Sequence, residues 1–263
     1  MISGNPLLGK DESAPAQLFN ADGRSPFLIT GDHAGNAIPR VLGTLGLTEA
    51  DRARHIAWDI GVRELGMALA KALDAPFIYQ RYSRLVIDCN RDPDHAEAAP
   101  ANADGSPVPG NGMLTADELV ARVAAIHAPY HDRIAVELAI RAAAARPTIF
   151  LALHSFTPTL AGQARPWHVG VLHDGGDTRF AKALLAALGA RPELVVGDNE
   201  PYHMDATDYS VPRHAYPRSL PYAEIETRQD FLTCPAGVAQ WCETLALACR
   251  TALAEYVHTG SGF

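Results

Sequence analysis

Residues 26–39, PFLITGDHAGNAIP, contain the pattern on which our prediction of the fold depends. Residues 26–30 are an apolar run that predicts a β-strand, and the glycines that follow allow the chain to turn tightly after it. His33 lies in that turn, at the end of the strand. Taken alone, this histidine is either an ordinary polar residue of a turn or a metal ligand, and the rest of the chain has to distinguish the two.

Similar strand patterns alternate with helical patterns along the rest of the chain. The predicted strands are residues 77–79, 85–87, 148–156, 168–174, 193–201 and 220–231. The predicted helices are residues 48–74, divided near Trp58 and Asp59, residues 115–147, kinked or broken at Pro129, residues 177–190 and residues 235–258. This alternation predicts an α/β fold, a single three-layer domain in which helices cover both faces of a mixed, mostly parallel sheet. We expect residues 1–25 to form an irregular N-terminal arm and residues 26–263 to form the domain.

Composition argues against several classes of protein. The 263 residues carry 22 basic and 30 acidic side chains, and this formal net charge of −8 disfavours nucleic acid and anionic membranes as partners. We find no apolar run of bilayer length and no signal-peptide pattern, so we expect a cytoplasmic protein that acts on a small molecule. The four cysteines show no CxxC spacing and are predicted to be free thiols. The sequence does not indicate an oligomeric state.

Chemically active side chains follow several of the predicted strands. His33 follows the first strand, the sequence DCNR at residues 88–91 follows another, and His154 lies at the end of a third. Glu224 and Glu226 share one face of a later strand, because side chains alternate along a strand with a period of two. Ligands of open α/β sheets bind beyond the carboxyl ends of the strands, so we expect these groups to surround one crevice.

Two histidines and one carboxylate are a common ligand set of hydrolytic zinc sites, in which water takes the fourth position. His33 and His154 are the candidate histidines. Asp59 is our preferred third ligand, with His55 as the alternative, although Asp59 also suits the N-cap of the following helix. The same ligand types suit several ions, so the prediction is Zn²⁺ or another divalent metal. We expect Asp32 to orient the imidazole of His33.

A hydrolytic site also needs a base and groups that hold the substrate. Glu226 is the candidate base, and a surface ion pair with Arg228 is the alternative. Arg91 can bind a substrate carboxylate through two parallel hydrogen bonds, and Asn90 can orient or polarise a carbonyl group. Two further arginines are substrate-binding candidates, although a surface or ion-paired position is the simpler interpretation of both: Arg84 and Arg213.

Two other features are open to a functional interpretation. His127 and His131 are four residues apart in a predicted helix, but Pro129 lies between them, and we favour positions on the helix surface over a metal site. Residues 92–112 have no periodicity and predict a long loop, which in a compact domain is more often functional than accidental.

Six motifs in order resemble the N-formylglutamate amidohydrolases: DHAGNAIP, HIAWDIG, SRLVIDCNR, LHSFTP, GDNEPY and YAEIETRQD. The resemblance covers residues 26–230 and implies a domain similar to the zinc carboxypeptidases, with a phosphorylase/hydrolase-like fold. It implies that His33 and His154 are metal ligands and that residues 26–263 form the catalytic domain. The carboxypeptidase pattern often places a glutamate three residues after its first histidine, but Asn36 stands there, so the third ligand must come from elsewhere.

The resemblance also implies a reaction, the metal-dependent hydrolysis of an N-acyl amino acid. N-formyl-L-glutamate would be cleaved to formate and L-glutamate, a late step of histidine degradation. Asn90 and Arg91 resemble the substrate-binding pair of the carboxypeptidases. IETR resembles the strand that carries the general base of those enzymes, and this implies that Glu226 is the base in this chain. The alternatives are a different N-acyl or amide substrate, a non-catalytic carboxylate-binding protein, and a peptidoglycan amidase or carboxypeptidase, which the absence of an export signal disfavours.

Overall fold

The structure, a computed structural model, describes residues 7–259. The strands are β1 (Ala16–Phe19), β2 (Phe27–Gly31), β3 (Phe77–Gln80), β4 (Asn102–Ala103), β5 (Ser106–Pro107), β6 (Ile149–Phe156), β7 (Thr159–Leu160), β8 (Gln163–Ala164), β9 (Val169–Leu172), β10 (Val196–Asp198) and β11 (Tyr222–Arg228). The helices are α1 (Glu49–Ala53), α2 (Val62–Leu73), α3 (Ala116–Arg122), α4 (Ala128–Ala143), α5 (Arg179–Gly189), α6 (Ser210–His214) and α7 (Pro235–His258).

Within residues 7–259, seven of these strands form one sheet in the order β1-β3-β2-β6-β11-β9-β10. The pairs β1–β3 and β9–β11 are antiparallel, and the other four neighbouring pairs are parallel. All eight residues of the central strand β6 are buried, as expected for a strand whose two faces are both covered. The prediction of a mixed, mostly parallel sheet is therefore confirmed.

Helices pack on both faces of the sheet. Because neighbouring residues of a strand point to opposite faces, Ile29 and Leu151 belong to the core formed with α2, α5 and α7. Leu28 and Phe150 belong to the second core, formed with α4, α6 and the loops of the other face. The three-layer α/β domain predicted from the alternation is confirmed. Among the described helices, none is both long enough and apolar enough to span a bilayer.

Two predicted segments differ from the structure. Residues 85–87 were expected to form a strand, but they belong to a buried turn in which Val86 N–H donates to the carbonyl oxygen of Ser83 at 2.9 Å. Their apolar side chains pack in the second core, so burial explains the pattern without strand pairing. The expected irregular arm contains β1, which pairs with β3 and extends the edge of the sheet. Residues 1–6 of that arm lie outside the described residues, and the domain boundary at residue 25 stays a prediction.

The predicted kink at Pro129 takes the form of a π-helical turn. The segment Val123–His127 is π-helical and connects α3 to α4, so the helix continues through this region instead of breaking. Pro129 is the second residue of α4, directly after the π-helical segment, where the altered hydrogen-bond pattern accommodates a residue without an N–H. Tyr130 of α4 contacts Asp32, the residue directly after β2, and His127 and His131 are buried.

Candidate metal and catalytic site

The candidate site lies at the carboxyl ends of the central strands. His33 follows β2, His154 is near the end of β6, and Glu226 is its register partner on the neighbouring strand β11. Asp59 comes from the connection between α1 and α2. All four side chains line one cavity of about 450 Å³, together with Arg84, Asn90 and Arg91. The structure therefore brings the predicted strand-end residues together.

Three buried ligand atoms converge in this cavity. Asp59 Oδ2 lies 3.3 Å from His33 Nδ1 and 3.0 Å from His154 Nδ1. Each of the three residues offers an atom within 4.8 Å of the others' atoms. Two ligand atoms of a tetrahedral zinc ion, each about 2.05 Å from the metal, are separated by roughly 3.3 Å. The donor set therefore fits a small divalent ion, and it includes Asp59, the preferred third ligand, instead of His55.

The far side of each imidazole faces a second carboxylate. His33 Nε2 lies 2.7 Å from Asp88 Oδ1, and His154 Nε2 lies 3.6 Å from Asp32 Oδ2. The contact with Asp88 favours a proton on Nε2 of His33 and leaves its Nδ1 free to bind a metal. The distance of 3.6 Å is too long for a hydrogen bond, and among the described residues neither His154 Nε2 nor Asp32 Oδ2 has a hydrogen-bond partner. The expectation that Asp32 orients His33 is wrong, because Asp88 has that position and Asp32 faces His154. Asp32 is itself held by the hydroxyl of Tyr130, which donates to its Oδ1 at 2.6 Å.

The carboxylates and imidazoles of the site alter one another's pKa values. Burial raises the pKa of Asp59, but His33 and His154 outweigh burial and lower it below the usual range. Burial likewise raises the pKa of Asp88, and Arg84 followed by His33 lowers it well below the usual range. Burial lowers the pKa of His154, yet the surrounding carboxylates raise it well above its usual value. Asp59 is therefore ionised, as a metal ligand has to be.

Glu226 has the surroundings expected of a base. Its side chain is 6% exposed, and within residues 7–259 no hydrogen-bond donor satisfies its Oε2 atom. Burial raises the pKa of Glu226 to about 8, against the opposing effect of His154. The alternative, an ion pair with Arg228, is excluded because Arg228 pairs with Asp230 at 2.8 Å instead. A carboxylate with an elevated proton affinity beside the metal ligands suits proton transfer.

The three arginine candidates have different positions. Arg84 donates to Asp88 Oδ2 at 3.1 and 2.7 Å and lies 3.6 Å from Asp59, so its charge supports carboxylates of the site. Arg91 lines the cavity, and only its Nη1 atom donates to described residues, at the carbonyl oxygens of Asn90 and Thr207. Arg213 is not among the residues that line the cavity: it packs on the ring of Tyr209 and donates to its hydroxyl at 2.7 Å. Arg91 therefore lines the cavity with its Nε and Nη2 atoms making no hydrogen bond to a described residue.

Asn90 is held by contacts of its own. Its Oδ1 accepts from the N–H groups of Tyr209 and Ser210 at 3.0 and 2.9 Å, and its Nδ2 donates to Asp208 at 3.3 Å. The side chain therefore caps the start of α6. Its Nδ2 is the atom that could donate a hydrogen bond to a substrate carbonyl.

The remaining candidates lie outside the metal site. His55 faces Asp104 at 3.3 Å. His127 and His131 are buried, contrary to the expected helix surface, and their Nε2 atoms lie 3.0 and 2.9 Å from the carbonyl oxygens of Arg91 and Cys89. They position the backbone that carries Asn90 and Arg91. All four cysteines lie within the described residues and are free, as predicted.

The sequence analysis did not identify the side chains of residues 199–209 that line the cavity. Tyr202, His203, Asp205 and Asp208 line the cavity from this irregular segment. A loop without periodicity gives no signal of which side chains point inward. Their position becomes evident only in the folded chain, which brings Asp208 to within 3.9 Å of Arg91.

The chain is similar to known proteins along most of its length. A crystal structure of a gene product from Agrobacterium tumefaciens is 34% identical, covers 95% of this chain and 98% of its own, and superposes with a TM-score of 0.91. The crystal structure of an N-formylglutamate amidohydrolase from Ralstonia eutropha is 19% identical, covers 94% of this chain and 100% of its own, and has a TM-score of 0.64, which shows a shared fold. Comparison with curated protein sequences gives no significant match. The N-formylglutamate amidohydrolase family model matches residues 25–233, and the chain belongs to that family.

Proposed function

We propose that this protein is a metal-dependent amidohydrolase that cleaves the amide bond of an N-acyl amino acid. The family supports a hydrolase that acts on an amide. The observation that carries the proposal is the convergence of His33 Nδ1 and His154 Nδ1 on Asp59, with the buried Glu226 opposite His154 in the same cavity.

His33, Asp59 and His154 would hold the metal, and Asp88 would keep the imidazole of His33 in the tautomer that binds through Nδ1. When bound, such an ion acidifies a coordinated water and polarises a carbonyl oxygen. Nitrogen and carboxylate donors suit Zn²⁺ and other divalent ions, and Zn²⁺ is the ion that we propose.

Glu226 would move the proton of the reaction. Its carboxylate accepts a proton from water as the new O–C bond forms at the acyl carbon. It then delivers that proton to the amide nitrogen as the C–N bond breaks, so that the products are a carboxylic acid and an amine. Burial raises the pKa of Glu226 to about 8, so its carboxylate is a stronger base than an exposed one.

Arg91 would bind the carboxylate of the amino-acid part of the substrate. Its Nε and Nη2 atoms donate to no described residue and are available for a paired interaction with a carboxylate. N-formyl-L-glutamate is the reference substrate because it gives the family its name, and its products would be formate and L-glutamate. A cytoplasmic location and a place in histidine degradation are further proposals that depend on that substrate.

The proposal is tested by metal analysis together with hydrolysis assays on N-formyl amino acids. We expect the wild-type protein to hold about one metal ion per chain, and His33→Ala and His154→Ala to lose both the ion and turnover. His173→Ala is the matched control, because His173 pairs with the exposed Asp198 at 2.8 Å, outside the cavity. If the two ligand variants keep stoichiometric metal and full turnover, the scheme is wrong. Tight binding of an N-acyl amino acid to metal-loaded protein without turnover would instead favour a binding protein.

A further inference from the structure

Tyr202 lines the cavity in a position fixed by a buried arginine. Arg165 Nη1 donates to the Tyr202 hydroxyl at 2.8 Å, and the guanidinium carbon of Arg165 lies 4.7 Å from the centre of the Tyr202 ring. Arg165 is 9% exposed and is not among the residues that line the cavity. Among the described residues, no carboxylate pairs with this guanidinium group. Arg165 therefore acts on the cavity through Tyr202.

The position of Arg165 is itself well defined. The residue directly follows β8, its N–H donates to the carbonyl oxygen of Pro158 at 2.8 Å, and its own carbonyl oxygen accepts from Arg228 at 3.4 Å. Its guanidinium carbon also lies 5.8 Å from the ring centre of Phe156, the last residue of β6. A planar guanidinium group packed between two rings gives the Tyr202 hydroxyl a fixed partner.

The chain before Tyr202 lies directly on the sheet beside Glu226. Gly170 of β9 is the register partner of Glu226 on β11. A Cβ at Gly170 would overlap the carbonyl oxygen of Glu200, so the missing side chain leaves room for this segment on the strand. Desolvation raises the pKa of Tyr202, and Glu226 and Asp59 are close enough to raise it further. The phenol therefore lies near both the proposed base and the proposed metal ligands.

The Tyr202 hydroxyl is available as a hydrogen-bond donor. It accepts from Arg165, so its own proton points elsewhere, and within residues 7–259 it donates to no residue. A phenol has an ordinary pKa of about 10, and the raised pKa of Tyr202 keeps the hydroxyl protonated at neutral pH. The residue is 40% exposed, so part of its side chain is accessible to a ligand. Because a hydroxyl that accepts from a cation is polarised, it suits an acceptor that gains negative charge.

We propose that the Tyr202 hydroxyl, positioned by Arg165, donates a hydrogen bond to the acyl oxygen of the substrate as that oxygen becomes negatively charged. This inference rests on the proposed amide hydrolysis and adds to it a catalytic residue, Tyr202, and a positioning residue, Arg165. As the water oxygen bonds to the acyl carbon, the electron pair of the C=O π bond moves to the acyl oxygen, which accepts the hydrogen bond. The pair returns when the C–N bond breaks. Tyr202 keeps its proton throughout, while Glu226 carries the proton of water to the nitrogen.

The first test measures kcat and KM of the zinc-loaded protein for the N-formyl amino acid that the wild type hydrolyses fastest. Tyr202→Phe removes only the hydroxyl and should lower kcat by about 10- to 100-fold with KM unchanged, the range of a hydrogen bond to a charged group made only in the transition state. An unchanged kcat, or a rise in KM alone, would overturn the proposal.

Tyr209→Phe is the matched control, because it removes a hydroxyl from a similar pair outside the cavity. The Tyr209 hydroxyl accepts from Arg213 at 2.7 Å, and the guanidinium carbon of Arg213 lies 5.2 Å from the ring centre. Neither residue lines the cavity. The kcat of Tyr209→Phe should therefore equal that of the wild type.

A second variant tests the positioning role of Arg165. Arg165→Lys keeps the positive charge but loses the planar group that contacts the phenol. It should lower kcat by less than Tyr202→Phe does, and it should lower kcat little further in the double variant, because both changes remove one interaction. Additive losses would show that Arg165 affects turnover independently of Tyr202 and would refute its positioning role.

Titration calorimetry on the zinc-loaded protein gives a readout that does not depend on turnover. The probe is an analogue of N-formyl-L-glutamate in which a tetrahedral H–PO₂⁻ group replaces the formyl group. Tyr202→Phe should bind this analogue about 10- to 100-fold more weakly than the wild type does. L-glutamate, which has no acyl oxygen, should bind equally to both.

The outcomes separate the two proposals. If the wild type hydrolyses no N-formyl amino acid but binding of the analogue depends on Tyr202, the amidohydrolase proposal fails and the contact with the oxyanion stands. If the wild type hydrolyses one of them and Tyr202→Phe equals it in turnover and in binding of the analogue, the contact is refuted and the amidohydrolase proposal stands. A wild type that neither hydrolyses these compounds nor binds the analogue through Tyr202 refutes both. Arg165→Lys measures the same dependence if Tyr202→Phe does not fold.

Discussion

Replacement of Asp88 by asparagine tests whether the proposed metal site depends on an oriented imidazole. Asp88 Oδ1 accepts from His33 at 2.7 Å and from the N–H of Asn90 at 2.8 Å, while Oδ2 accepts from two atoms of Arg84. The side chain is 5% exposed, so water cannot easily replace any of these donors. Asparagine keeps the shape but offers only one acceptor oxygen.

Both orientations of the asparagine amide are unfavourable. With its oxygen towards His33, its NH₂ group faces the guanidinium of Arg84, and two donors meet. With the amide reversed, the NH₂ group faces His33 Nε2, which must become an acceptor, and the ring proton moves to Nδ1, the proposed ligand atom. Loss of such an orienting partner lowers metal affinity by about 10- to 100-fold, or roughly 1.4–2.7 kcal/mol.

The assay is a competition titration of Zn²⁺ between the protein and a chromophoric chelator, with urea unfolding of the metal-free protein measured separately. Asp88→Asn should bind Zn²⁺ about 10- to 100-fold more weakly than wild type. Asp198→Asn is the matched control, because Asp198 pairs with His173 at 2.8 Å but its side chain is 69% exposed, and Zn²⁺ affinity should not change. If Asp88→Asn remains folded and binds Zn²⁺ as tightly as wild type, the proposal that Asp88 orients His33 for metal binding is refuted.

Three further predictions concern the base, the turn after β2 and the buried histidines. Glu226→Gln should lower kcat by about 10²- to 10⁴-fold with its metal content intact, and wild-type turnover in this variant would remove Glu226 from the mechanism. Gly35→Ala places a Cβ against a backbone carbonyl oxygen and should reduce the free energy of unfolding in urea by about 1–3 kcal/mol, whereas Gly189→Ala, with open space around it, should change it by less than about 1 kcal/mol. Burial lowers the pKa of His214 to about 3, so below about pH 6.5 the unfolded chain binds a proton that the folded chain does not. The contribution of neutral His214 to the free energy of unfolding is present above that pH, and on the order of 3 kcal/mol of it is lost by pH 4.5. His214→Gln should lose correspondingly less stability between pH 7 and pH 4.5, and equal losses would contradict this reasoning.

The sequence predicted the parts of the site that depend on the ends of strands. His33, His154 and Glu226 were found because parallel strands bring their carboxyl ends to one edge, and this placement follows from the strand pattern alone. The partners of the arginines could not be found in this way. Arg84 faces Asp88, four residues later, only because residues 84–86 turn instead of extending as a strand. An apolar run of three residues does not distinguish a buried turn from a short strand.

The buried histidines show the same limitation. His127 and His131 were expected on a helix surface, since Pro129 argued against one continuous face. The π-helical segment before Pro129 changes which side chains point inward, and its position cannot be read from the sequence pattern. Glu224 could be placed on the same face as Glu226, but among the described residues its Oε2 has no hydrogen-bond partner because Ala152 and Leu172 lie beside it on the neighbouring strands.

Asp59 explains how the site forms without an acid at position 36. Asn36 donates to the carbonyl oxygen of Arg52 at 3.4 Å on the exposed side of the turn, away from the ligand atoms. The N–H of Asp59 donates to the carbonyl oxygen of His33 at 2.9 Å, which fixes the Asp59 backbone beside the first ligand. The segment is tied to β6 as well, because Ser155 Oγ donates to the carbonyl oxygen of Ile60 at 2.9 Å. The proposed third ligand is therefore fixed by a hydrogen bond from its own N–H to His33 and by one from Ser155 to the carbonyl of the next residue, Ile60. Because these bonds reach both histidine-bearing segments, they place the Asp59 carboxylate between the two imidazoles.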